Sequence, residues 1–384
     1  GHVGGFVGRL YGKLVNVTNT GKVKGIATYN AGVAGFVQQG AVLDGVKNYG
    51  EITSSAAYVA GVAAYVYEDA EFNKCVNYGN ISSSVAAGYA AGIAATALPS
   101  KFVECVNEGQ ISSGSSAGIV ANCSGKSGGL IYTFDRCQNN GEVTGNGILG
   151  GITAVQGATA GNNVCHYIQC VNNGDITATA TQAVSSSAMA GIAAFYSPGS
   201  VFEYCINTGF VTNTKSVYTA GIAANNKGSA TADYPVVFKG CVNTGNIASS
   251  AQQIAGIVAY ITNYTSVDSC LNYGTIEQGI WGAAGICYTM AGTTSSLTNC
   301  INYGDVSVTQ YNAGGIVGNC ASTTAVIENC VNVGNITSTT TAEKNNYGVG
   351  GIAGSSYATM KNCFNAGKVV GKVRVGGIVG SPSY

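Results

Sequence analysis

The chain has 384 residues, of which 46% are hydrophobic and only 9% charged, with 17 basic residues balanced by 17 acidic ones. A neutral chain without clustered Lys and Arg lacks the field that draws nucleic acid or an anionic membrane surface. No run reaches the ~18–20 apolar residues of a membrane-spanning helix, and no basic stretch followed by an apolar one opens the chain as a leader would.

Taken in order, the chain repeats itself. An Asn-x-Gly core returns twelve times, at Asn19, Asn48, Asn77, Asn107, Asn139, Asn172, Asn207, Asn243, Asn272, Asn302, Asn332 and Asn365, each with Gly two residues on. Two residues after each Gly stands Val or Ile, from Val23 and Ile52 through Val369. A small-Gly-aliphatic segment follows, as in Ala117–Ile119 and Gly314–Ile316, with Phe6 and Phe36 following the first two copies. The chain opens inside a repeat (GHVGGFVG) and closes just after another begins (VGGIVGSPSY), so a segment of a longer polypeptide is expected.

Short β-type stretches punctuated by Gly, Asn and Ser, at a period of about 30 residues, point away from helical repeats. Eight leucines and no LxxLxL frame exclude leucine-rich repeats, and twelve copies exceed one propeller ring. The predicted fold is all-β: a single right-handed parallel β-solenoid over residues 1–384, with about twelve coils of roughly 30 residues and the usual crossover hand. At about 4.8 Å per coil the rod is about 55–60 Å long.

In such a rod equivalent residues stack. Asn is expected at a turn, its amide bonded to the copies above and below or capping the bend, and Gly is expected to supply a positive φ. The following Val or Ile points inward, and the next residue outward, as at Thr53, Ser82, Ser112 and Thr144. Ten of the fourteen cysteines precede the Asn by two residues, where the first copies carry Val17 and Val46. A site shared by Val and Cys is a core site, so a column of reduced thiols is predicted rather than disulfides. Cys123 and Cys320 share another core position.

Segments such as GGIVGNCASTTAVIENCVNVGNITS (Gly314–Ser338) resemble the GLUG-type repeats of bacterial surface proteins. The resemblance covers essentially the whole chain, although middle copies depart, reading AGIAA at Ala190–Ala194. It implies an extracellular, cell-surface, often adhesive segment of a larger bacterial protein, flanked by other domains. The expected partner is a glycan, met through exposed tyrosines and loops, or a host or matrix surface protein. It does not imply catalysis.

The residues themselves offer little for chemistry. Two histidines, His2 and His166, and three arginines lie far apart. The acidic group Glu68, Asp69 and Glu71 reads as a solvated loop, and Cys165, His166 and Cys170 lack a zinc spacing. Neither metal nor cofactor is expected, and the chain is read as non-enzymatic.

Aromatic placement is more informative. Tyr49 and Tyr78, and again Tyr273 and Tyr303, stand between the Asn and Gly of consecutive copies and are expected to project from a corner where they could hold sugar rings. Long connections around Ser124–Phe134, Val155–Ile168 and Asn226–Phe238, with a short one between them, suggest a groove. Its expected lining is Tyr132, Phe134, His166, Tyr167, Tyr196, Phe202 and Tyr234. Two alternatives stand beside the adhesive reading: a polysaccharide-processing enzyme using that groove, and an inert spacer.

Overall fold

The structure, a computed structural model, describes residues 1–123, 125, 131–157, 163–179, 187–213, 217–250, 252–279, 281–339 and 347–382. Each coil contributes five short strands, and these stack in parallel register into five sheets of 12 or 13 strands. In chain order, sheet 1 begins with His2–Gly4, sheet 2 with Val7–Leu10, sheet 3 with Lys13–Val15, sheet 4 with Thr18–Asn19 and sheet 5 with Val23–Gly25. The chain is thus the predicted parallel β-solenoid of about twelve coils. Like stacks on like, with Ile52 paired to Ile81 and Asn77 to Asn107.

The Asn column does both jobs expected of it. From Asn19 to Asn332 each side-chain amide donates to the Oδ1 of the next copy and also to the carbonyl of the Gly two residues on. Asn77 Nδ2 lies 2.8 Å from Asn107 Oδ1 and 2.8 Å from Gly79 O, and Asn207 Nδ2 lies 2.8 Å from Asn243 Oδ1. The chain of amides is unbroken from Asn19 to Asn365. In a buried row each amide polarises the next, so the bonds support one another.

The interior is divided. The Cys of each copy and the aliphatic of the small-Gly-aliphatic segment fall into one apolar column, which also holds the middle residues of sheet 3. The Val or Ile after Asn-x-Gly belongs to a second column, shared with sheet 1. Between the two, the Asn amides press against the Gly of the small-Gly-aliphatic segment. A Cβ added at Gly221 would overlap the Asn243 amide and the Gly256 carbonyl. The two sequence motifs are therefore two sides of one contact, repeated in every complete coil.

The predicted positive φ is not at the Asn-x-Gly glycines. Those are required for close approach: a Cβ at Gly50 would run into the Gly21 carbonyl oxygen of the preceding coil. The left-handed backbone instead falls on the residue just before each Cys or its Val equivalent, at Asn16, Gly45, Lys74, Glu104, Arg136, Gln169, Tyr204, Gly240, Ser269, Asn299, Asn329 and Asn362. This single residue turns the chain from sheet 3 into sheet 4.

The thiols are free and buried, except that Cys363 is half-buried in the last coil. Each ladder thiol has a weak acceptor: Cys105 Sγ lies 3.4 Å from Phe72 O and Cys137 Sγ 3.3 Å from Phe102 O. Burial pushes the thiols of Cys75, Cys137, Cys205 and Cys270 well above their ordinary range, which keeps them neutral and unreactive. Cys123 and Cys320 are buried in sheet 2, and Cys165 is buried in sheet 3.

Candidate functional site

The corner tyrosines stand where the sequence places them. They occupy the turn between sheets 4 and 5, held by the Asn amide beneath and the close-packed Gly beside it. Tyr49 and Tyr78 are 48% and 42% exposed, with ring centroids 4.5 Å apart and planes 10° apart. Tyr273 and Tyr303 form a second pair at 4.7 Å and 3°. Because the rings stack along the rod axis, each pair uses its inner faces on itself and leaves two outer faces. At the first pair these are flanked by Thr20 in the coil before and Glu108 in the coil after.

A depression of about 390 Å³ opens beside the first pair, lined by Thr20, Lys22, Tyr49, Glu51, Tyr78 and Asn80 with the intervening glycines. Lys22 Nζ donates to Glu51 Oε2 at 2.8 Å, and this hydrogen bond raises the lysine pKa above its ordinary value. Burial beside Tyr49 likewise raises Tyr78. The depression thus offers one aromatic wall, a paired cation and anion, and an amide: an arrangement suited to hydroxyl-bearing ligands rather than to a net charge.

The expected groove lining does not line a groove. Phe134, Tyr167 and Phe202 are fully buried and belong to an internal stack running Phe72, Phe102, Phe134, Tyr167, Phe202, Phe238, with centroids 4.6–5.3 Å apart. Tyr132 is buried beside it, its hydroxyl donating to Ala97 O at 3.0 Å. Tyr196 sits edge-on to Phe202 and Phe238 and donates to Tyr260 O at 2.7 Å. The Tyr167 hydroxyl is met by Thr153 and Gln156.

The physical reason is parity. Counting back from inward Cys137 along a regular strand puts Phe134 outside, but the left-handed Arg136 turns the chain and brings Phe134 in. The spacing aromatic-x-x-Cys, repeated at Phe72, Phe102, Phe134, Tyr167, Phe202 and Phe238, carries that information in the sequence. Of the seven expected residues, Tyr234 is exposed and His166 half-buried, its pKa lowered by burial against the opposing charge of Glu203. The connections at 124–134 and 155–168 lie partly outside the described residues. Glu71, from the acidic loop, pairs with Lys101 at 3.1 Å.

No family model, curated protein or solved structure matches this chain.

Proposed function

We infer that this rod is a non-enzymatic, extracellular scaffold of a bacterial cell surface, which presents adjoining modules and holds glycans at its tyrosine corners. One observation carries the reading: two pairs of half-exposed tyrosines stand at the same corner of a rigid column, the first opening on a neutral, hydrogen-bonding depression. An exposed aromatic face that a rigid frame keeps from collapsing is suited to the apolar face of a sugar ring. The resemblance of the repeats to GLUG-type ones supports a surface location. What supports binding over an enzyme in the expected groove is that five of that groove's seven expected lining residues serve the core.

The test is retention on an array of bacterial, host and matrix glycans, read for both binding and turnover. Retention without new reducing ends or unsaturated products is expected. Tyr49→Ala, Tyr78→Ala, Tyr273→Ala and Tyr303→Ala together should reduce retention at the corners at least fivefold without lowering thermal stability. Turnover would reinstate the enzyme reading, and no retention on any glycan would leave the spacer.

A further inference from the structure

A second surface, on the other side of sheet 5 from the tyrosine corner, is rich in serine and threonine. The outward residues of that sheet, Thr53, Ser82, Ser112 and Thr144, pair in register from coil to coil. The turn that follows adds Ser55 and Ser84. Together they form a depression of about 430 Å³ from Lys24 to Ser112, with Ile26, 91% exposed, as an apolar lip. A second depression of about 220 Å³ shares Ser83, Ser84 and Ser112 and extends the trough along the axis past Ser113 to Asn146 and Thr179.

Two buried polar atoms at or next to this trough have no partner among the described residues. Ser113, which lines the second depression, is 7% exposed and its Oγ is unbonded. Asn30 donates from Nδ2 to Ala27 O and to the Oγ of Ser54, a lining residue of the first, and its Oδ1 is unbonded. A buried hydroxyl or amide left so costs about 1–3 kcal/mol, and rotation of the Ser113 side chain into the depression it lines would let a hydrogen-bonding ligand recover that cost.

We propose that the trough binds an extended, neutral glycan chain lying along the rod axis. The hydroxyl rows recur at the coil spacing of about 4.8 Å, close to the length of one pyranose unit in an extended chain, so successive sugars meet successive coils. Among the described residues, Lys24 at one end is the one charged residue lining the trough, and the rest of its length holds no cation to pair with a phosphate or with successive carboxylates of an acidic peptide. The inference shares its ligand class with the function proposed above but uses a different face, so the two can fail separately.

Calorimetric titration with linear β-(1→4) gluco-, manno- and galacto-oligosaccharides of two to six units tests it. Affinity for at least one series should rise tenfold or more between two and five units, as coils are engaged in turn. The double variant Ser82→Val, Ser112→Val should lose at least fivefold, whereas Tyr49→Ala with Tyr78→Ala should keep the length dependence. Both serines face solvent, and the wild-type length series is decisive should the variant not fold. Absence of binding in all three series, length-independent binding, or loss only in the tyrosine variant would overturn the trough; the last result would leave the tyrosine corner standing.

Discussion

At the scale of single residues, the repeat is governed by three positions with different physical demands. The left-handed position before each Cys is held by Gly in two coils and by residues with a Cβ in ten. A Cβ there costs about 1–2 kcal/mol, of which the larger unfolded-state freedom of glycine takes back part. Gln169→Gly should therefore stabilise the chain by about 0.5–1 kcal/mol, measurable as a rise in denaturation midpoint, since Gly240 already fills the same place without harm to the fold. Gly221 poses the opposite demand, because both of its neighbours are fixed. Gly221→Ala should cost about 3 kcal/mol or more, above the usual overpacking range, since backbone rather than a flexible side chain must give way. Asn207→Ala would remove donors to Asn243 Oδ1 and Gly209 O and the acceptor of Asn172, for a loss of about 2–4 kcal/mol in chemical denaturation.

The sequence was most legible where a residue's role depends on its own repeat alone. The invariance of Asn showed a stacked amide, and the exchange of Val for Cys showed a core site. What was hidden is relational. That the Asn amide faces the Gly of the other motif, some 14 to 22 residues earlier in the sequence, depends on how a coil closes. That Phe134 points inward depends on one backbone dihedral at Arg136, a residue whose side chain gives no warning of it.

At the scale of elements, strands of two to four residues gain little on their own and are held by what lies above and below. The Phe72 to Phe238 stack runs through the middle coils along sheet 3, and replacing it gradually by aliphatics at Val267, Leu297 and Ile327 keeps the same position filled toward the C-terminal coils. Phe202→Ala should cost about 3–5 kcal/mol, as for a large buried ring elsewhere. The same residue was expected at a binding surface, so its loss should lower stability while any glycan retention per folded molecule is unchanged. The thiol column makes a separate prediction. In the native protein, iodoacetamide should modify Cys363 first and leave the nine other ladder cysteines untouched; all should react once unfolded, with no mass lost to disulfides. Fast alkylation of Cys170 or Cys205 in the folded state would contradict the interior placement.

At the scale of the whole molecule, the rod is two apolar columns joined along their length by one row of amides and glycines. Each coil contacts its neighbours, so stability is close to a sum of coil and junction terms. The outer surface is then free to vary, and what varies on it, the tyrosine corner and the hydroxyl trough, is where the proposed binding lies. This division of labour rests on the amide row being continuous, buried and closed to water. Hydrogen exchange of side-chain amides in asparagine-labelled protein, followed by NMR, measures that directly. The Nδ2 protons of the ten interior ladder residues, Asn48 to Asn332, should persist for hours, while those of exposed Asn80 and Asn173 vanish at once. Exchange of the ladder amides as fast as the exposed ones would contradict the account.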